Sequence, residues 1–392
     1  MAMISRQEAE ALIQEQLVST IFQDAPKASV FMQMARKLPN MTSKQTRMMV
    51  LDMLPTAYWV TGDTGFKQTT QAAWDNVYMN AEELAVIVPI PEAVLADASF
   101  DILGEVQPRV MEAIGQRVDG AVVFGVNRPE SWPLDIVTRA RQAGNNVSGA
   151  SVTYDALLGD GGVISKVEAD GYMSTGGLAS MAMRSKLRSI KDDAGHPLFT
   201  TGMQGATQYA LDGAPLYFPL NGSFDTSIAQ LIVGDWSQAV YAIRQDITVK
   251  ILDQGVIQDP STKAIVYNLA QQDMIALRVV FRMGWALPNP ATRMDEDRVG
   301  CPFAYLEPAS AMTTYSLTFT VQDSSNQPIE GVIVSVDGAR IKTNSSGQAV
   351  FNLRNGVYGY KVLGGADYVN ASGTKTISGS NGTQTVTLTA KS

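Results

Sequence analysis

DILGEVQPRVMEAIGQRVDGAVVFG, residues 101 to 125, is the stretch on which the fold turns. Val106, Val110, Ile114 and Val118 recur every fourth residue, and Leu103 and Met111 widen the stripe, which predicts a long amphipathic helix crossing a domain. Pro108 either starts its second part or kinks it. VIVPIPE at 86 to 92 reads as a strand stopped by Pro89 and Pro91, IRQDITVKIL at 243 to 252 alternates as a strand, and DMIALRVVFRMGWAL at 273 to 287 is another. Between helix and later strands, residues 131 to 235 mix glycine-rich turns with helical patches such as Leu178 to Ile190, the pattern of an α/β lobe with several loops. The body is mixed α+β.

Upstream, Ser5 and Glu8 form a capping box, and Ala9, Leu12, Ile13, Leu17 and Ile21 keep helical spacing until Pro26. Residues 55 to 80 carry Tyr58, Trp59, Gly62, Gly65, Trp74 and Tyr78 among threonines and glutamines, which predicts a long two-stranded excursion. A hairpin alone buries such aromatics poorly, so a neighbouring subunit is the expected cover.

Composition changes near residue 312. All eighteen methionines, five tryptophans, the cysteine and the histidine lie at or before Met312, and the remainder is rich in Thr, Ser, Gly, Asn and Val. Of the formal net charge of −8, the last eighty residues carry +2, from six basic and four acidic side chains, which leaves −10 for the body. Seven short strands are expected there, at 315–321, 331–337, 339–343, 348–353, 357–363, 369–377 and 384–390. Asn355-Gly356 reads as a tight hairpin turn. The pattern predicts an immunoglobulin-like or transthyretin-like β-sandwich.

Several function classes are disfavoured. A single cysteine, Cys301, excludes an internal disulfide framework, and a single histidine, His196, removes most metal sites and most Ser-His-Asp arrangements. The glycine clusters at Gly159, Gly161, Gly162 and at Gly176-Gly177 lack the phosphate-loop and dinucleotide patterns. The acidic groups Asp295-Glu296-Asp297 and Asp192-Asp193 lack a calcium loop's Gly and distal Glu, and read as solvated turns. Net negative charge argues against a nucleic-acid groove. No cofactor and no catalytic constellation are expected. The N-terminus, with Glu8 and Glu10, does not read as a signal peptide, and no run approaches the ~18 apolar residues of a membrane span. Charged residues are only 17% of the chain, below the roughly 25% of an average soluble protein, so much of the surface suits protein contacts.

The succession VPIPEAVLADASFDI (88–102), DGAVVFG (119–125), LRSIKDDAGHPLF (187–199), LDGAPLYF (211–218), LIVGDWSQAVYAIRQDITVKI (231–251), ALRVVFRMGWAL (276–287) and CPFAYL (301–306) resembles the landmarks of tailed-phage major capsid proteins of the Hong Kong 97 type. The resemblance implies an N-terminal arm at 1–54, an extended loop at 55–80, a peripheral domain at 81–130 and 233–310 with the long helix as its spine, and an axial domain at 131–232. An all-β sandwich at 311–392 follows. It further implies an icosahedral or prolate shell of hexamers and pentamers enclosing double-stranded DNA without sequence-specific contact. Portal, scaffolding and head-completion proteins are the implied partners, with assembly in the host cytoplasm and residence in the virion. Trp59, Phe66, Lys67, Trp74, Arg278 and Arg282 are the expected assembly contacts. Lys67 is the one lysine at the loop, where some relatives form a covalent cross-link. Only about fifty residues precede the loop, which implies a separate scaffold or none.

The tail segment KTNSSGQAVFNLRNGVYGYKV (342–362) resembles carboxypeptidase-regulatory and bacterial immunoglobulin-like modules, so an outward-projecting decoration is expected, with Tyr358, Tyr360 and Tyr368 as candidate contacts to host-surface or mucus glycans. An encapsulin-like nanocompartment shell is the nearest alternative. An adhesin or carbohydrate-binding protein is the alternative of a different class.

Overall fold

The computed structural model describes residues 29–60, 66–67, 69–97, 101–192, 194–199, 209–309 and 313–391. The helix expected over 5 to 22 lies outside them. The spine helix runs Ile102–Phe124, capped by Asp101, whose side chain accepts from the Gly104 N–H, and ended by Gly125 in the left-handed region at φ 67°. It continues through Pro108. Val110, Ile114, Val118 and Val122 are buried, whereas Met111 is 38% exposed and stands outside the apolar stripe. The buried face packs on a four-stranded sheet in the order Arg36–Lys37, Val240–Leu252, Met274–Ala286, Glu82–Pro91. Leu277, Val279, Phe281 and Met283 are the sheet residues that share this core.

The strand at Glu82–Pro91 does not stop at Pro89, which pairs with Ala276. It is an edge strand, where a missing N–H can face away from the ladder. Phe31, in the arm, is fully buried against Tyr241 and Trp285. It is held there by Asp119 of the spine helix. That carboxylate accepts from Ser29 Oγ (2.6 Å), the Val30 and Phe31 N–H groups (3.1 Å each) and Asn221 Nδ2 (2.7 Å). Burial raises its pKa, and these donors offset part of that rise.

The second lobe is built on a six-stranded sheet in the order Asn146–Val147, Phe303–Leu306, Leu231–Gly234, Gly176–Ala179, Ala214–Tyr217, Ala210–Leu211. Two expectations change here. The patch from Leu178 to Ile190 is a strand to Ala179 followed by a helix over Met181–Ser189. Gly176 and Gly177, in a segment expected to carry glycine-rich turns, lie in strand, where a Cβ on Gly177 would meet the Leu216 side chain at 2.7 Å and the Ile232 carbonyl at 3.1 Å. The chain's return, at Phe303–Leu306, joins this sheet through Leu231–Gly234. Of the segment 234 to 306, expected to complete the sheet under the spine helix, Val240–Leu252 and Met274–Ala286 do so and Phe303–Leu306 does not.

All seven tail strands form, as a three-stranded sheet (Gln348–Leu353, Tyr315–Asp323, Gly382–Leu388) and a four-stranded sheet (Ala339–Lys342, Ile333–Val336, Gly356–Leu363, Ala371–Ile377). Leu317, Phe319, Val321, Val334, Val336, Phe351 and Val362 fill the space between them. Asn355-Gly356 is not a hairpin turn, since the strands on either side belong to different sheets. The tight turn is Asp337-Gly338, at φ 42° and 97°, closing Val336 onto Ala339.

Candidate assembly interface

A hairpin leaves the body, with strands Gln45–Met53 and Ala73–Asn80 paired from Gln45 opposite Asn80 to Met53 opposite Ala73. Its outgoing strand starts ten residues before the excursion expected at 55. Side chains alternate across such a pair, so each face carries one set. The inner set includes Val50 and Met79, both buried, with Met48 and Val77 packed beside them. The outer set is apolar yet uncovered: Met49 is 75% exposed, Trp74 66%, and Met53 and Tyr78 about half. Beyond the strands, Trp59 and Phe66 are fully exposed at 101% and 96%, with Lys67 beside Phe66 also exposed. Five expected contacts out of six thus lie on solvent-facing or half-open surface, four of them on this one excursion. Burying a Trp or Phe of this kind contributes about 2–3 kcal/mol each before association costs.

Arg278 and Arg282 emerge from the sheet face opposite the spine helix. Arg282 Nε donates to Glu83 Oε2 at 2.6 Å, and Glu83 is its direct partner on the neighbouring strand. The pair is intramolecular. Arg278 stands opposite Lys250, and its Nε is buried with no hydrogen-bond partner among the described residues. Arg244, at a bulge in the same sheet, leaves Nη1 in the same condition. This face therefore carries cationic donors with unfilled bonding capacity.

The sandwich is not a loosely attached module. Leu134, a residue of the body, sits in the sandwich core, and its N–H donates to the Asp337 carbonyl. Arg128 pairs with the Asp337 carboxylate at 3.1 Å and Arg354 with Asp135 at 2.9 Å, while Lys342 pairs with Asp297. Gln142 and Asn352 exchange two hydrogen bonds. The strongest link reaches the hairpin itself. Arg298 of the body and Arg340 of the sandwich both grip Asp52 and Asp75, one on each hairpin strand: Arg298 at 2.7 and 3.3 Å, Arg340 at 3.2 and 3.0 Å. Both arginine side chains are below 10% exposed. Burial would raise the Asp52 carboxyl, but the hydrogen bond from Arg298 and the charges of both arginines hold it below its ordinary value.

None of these four residues was singled out in the sequence. The available signal was the charge split, +2 in the tail against −10 in the body, which favours docking of one on the other. The acidic run Asp295-Glu296-Asp297 is structural. Asp295 accepts from the Val299 and Gly300 N–H groups, Glu296 pairs with Arg293, and Asp297 meets Lys342.

The three candidate glycan contacts are packing residues. Tyr358 is buried and its hydroxyl donates to the Arg354 carbonyl at 2.8 Å. Tyr360 packs on Phe319 at 5.0 Å between ring centroids, and Tyr368 is partly buried against the same core. Alternate positions on one strand share a face, and here that face is the interior. The three rings form no exposed stacking platform.

The model of the Phage capsid family matches residues 9–292. A solved chain from Microbacterium phage Oxtober96 is 33% identical with a TM-score of 0.69, covering 78% of this chain and 100% of that one. One from Mycobacterium phage Cain is 32% identical with a TM-score of 0.69, covering 80% of this chain and 100% of that one. The fold extends to "Capsid of native GTA particle computed with C5 symmetry", at 16% identity and a TM-score of 0.56, covering 79% and 100% of the two chains. No curated protein matches.

Proposed function

Since this chain belongs to the phage capsid family, a family of structural proteins and not of enzymes, we propose that its copies close into the icosahedral or prolate head of a tailed phage around double-stranded DNA. Hexamers and pentamers form in the host cytoplasm, with portal, scaffolding and head-completion proteins as partners. The observation that carries this reading is the outer face of the hairpin, where Met49, Met53, Trp74 and Tyr78 lie open on a subunit whose interior is otherwise well packed. A contiguous apolar face of this kind marks an interaction surface, and a repeated identical subunit is the partner that the family supplies. Each subunit then buries more than ~2,000 Å² in total, as obligate assemblies do.

The sandwich, in this reading, braces the hairpin through Asp52 and Asp75, because it holds both strands near the loop end of their ladder. Holding a binding element in its bound orientation lowers the ordering cost of association. Electron microscopy of the protein expressed alone and with scaffold tests both points. Regular shells are expected for the wild type, and Trp59→Ala/Phe66→Ala should leave a folded, unassembled subunit. Shells of wild-type yield from that variant would refute the hairpin's role. Shells formed at unchanged protein concentration when Arg340→Met is combined with Asp75→Asn would refute the brace.

A further inference from the structure

The junction of hairpin, body and sandwich encloses a cavity of about 460 Å³. Among its buried charged groups is Arg139, on the helix Ile136–Gln142 and 7% exposed. A guanidinium has five N–H donors. Among the described residues Arg139 uses one hydrogen bond, from Nη1 to the Leu287 carbonyl at 2.8 Å, and no carboxylate pairs with it. The acids around it are engaged elsewhere. Asp52 and Asp75 hold Arg298 and Arg340, Asp337 accepts from Arg128 and from the Gly359 N–H, and Asp135 accepts from Arg354 and the Thr138 N–H.

A buried cation without an acid is costly, and natural proteins pair such groups or neutralise them with a ligand. The burden is visible in Arg139 itself, whose pKa falls to about 10, chiefly through burial and further through the charges of Arg298 and Arg340. Gly338 of the tight turn, which also lines the cavity, approaches the guanidinium closely, so that even a Cβ there would touch Nη1 at 3.4 Å. At the surface the same cavity is lined by Lys361, exposed and in no ion pair among the described residues, and by the exposed Glu130. Trp132, Leu287 and Tyr78 give it apolar and aromatic walls.

We propose that this cavity is a binding site for a small phosphate ester, with Arg139 as its buried anchor, Lys361 as the donor at its mouth and the aromatic walls holding the organic part. The size excludes bare phosphate as a full occupant, since small-molecule pockets run from about 300 to 1,000 Å³. A planar guanidinium suits phosphate oxygens better than a point charge does. The site exists only where the sandwich is docked, because Gly338, Arg340 and Lys361 come from it.

The test is calorimetric titration of the full-length, unassembled chain with adenosine monophosphate and, separately, inorganic phosphate at constant ionic strength. Wild-type protein should bind the nucleotide saturably, one per chain, and phosphate at least tenfold more weakly. Lys361→Glu, at an exposed position that the fold does not need, should weaken nucleotide binding at least tenfold. Arg139→Lys, which keeps the charge but loses the fork, should do the same with an unchanged circular dichroism spectrum. Absence of saturable binding to either probe, or binding unaffected by Lys361→Glu, would overturn the proposal. Because the chain is unassembled in this experiment, failure to form shells does not bear on its outcome.

Discussion

Replacing Asp75 with Asn tests the link between sandwich and hairpin most directly. The carboxylate of Asp75 serves two guanidinium groups, Arg298 at 3.3 Å and Arg340 at 3.0 Å, whose side chains are 4% and 9% exposed. Removing one partner of a fully buried pair costs about 3–5 kcal/mol. Here Asp52 remains to hold both arginines, and Asp75 is itself 27% exposed, so about 2–3 kcal/mol is the appropriate figure for Asp75→Asn. Arg340→Met leaves Arg298 with two acids that are both partly solvated, and about 2 kcal/mol is expected. The double variant leaves Arg298 and Asp52 as a one-to-one pair at 2.7 Å. Its total should therefore fall short of the sum by about 1–2 kcal/mol, within the range found for residues in one network. Urea unfolding of unassembled protein, followed by tryptophan fluorescence, measures this. Trp74 on the hairpin and Trp132 in the junction lie where the first transition should be seen. Additivity of the two substitutions within about 0.5 kcal/mol would show that Arg340 and Asp75 do not share an energetic unit, and the clamp would have no role in stability.

Acid should weaken the same clamp. The folded pKa of Asp52 lies below its ordinary 3.8, so its stabilisation is fully present above that value and is lost as pH falls through the depressed one. The stability difference between wild type and Asp52→Asn should therefore shrink below about pH 4, a comparison needed because Asp119 and Asp337 are shifted upward by burial and respond in the opposite sense. Asp119→Ala removes the acceptor shared by Ser29, Val30, Phe31 and Asn221. It should cost about 3 kcal/mol or more and abolish amide-exchange protection at Val30 and Phe31 while leaving that of the spine helix in place. The thiol of Cys301, 2% exposed and pushed up to about 11 chiefly by burial, should react with a thiol reagent only at the rate of unfolding. Fast stoichiometric labelling of native protein would contradict the packing described for it.

The parts legible in the sequence are those written in short periodicities. Val110, Ile114 and Val118 specify the spine helix by spacing alone, and Leu317, Phe319 and Val321 specify a sandwich strand in the same way. Local punctuation was less dependable, because its meaning depends on neighbours distant in sequence. Pro89 ends a central strand but is harmless at an edge. Gly176-Gly177 reads as a turn until the flanking strands are seen to need its missing side chains. Asn355-Gly356 has the composition of a hairpin turn, yet neither residue has a positive φ, and the Asn355 side chain instead accepts from the Gly379 N–H. Tyr358 and Tyr360 were visible as aromatics on alternate positions, but alternation cannot say which face of a strand is inward.

The clamp was illegible for a different reason. Asp52, Asp75, Arg298 and Arg340 are spread over 288 residues and fall in three separate structural units, so no spacing rule joins them. What the sequence did contain was an excess of acid in the body and of base in the tail, and three of the tail's six basic residues, Arg340, Lys342 and Arg354, are spent on body carboxylates. Two consequences follow from where they meet. The hairpin carries its apolar outer face on strands whose inner face is fixed near the loop end of the ladder, so the exposed Trp74 and Met49 are held in one orientation and are less free to fold back on their own subunit. The same meeting point leaves Arg139 buried without an acid of its own. The C-terminal sandwich is thus part of the joint that holds the hairpin near its loop end, and the charge left over at that joint is where a ligand would act on the hairpin.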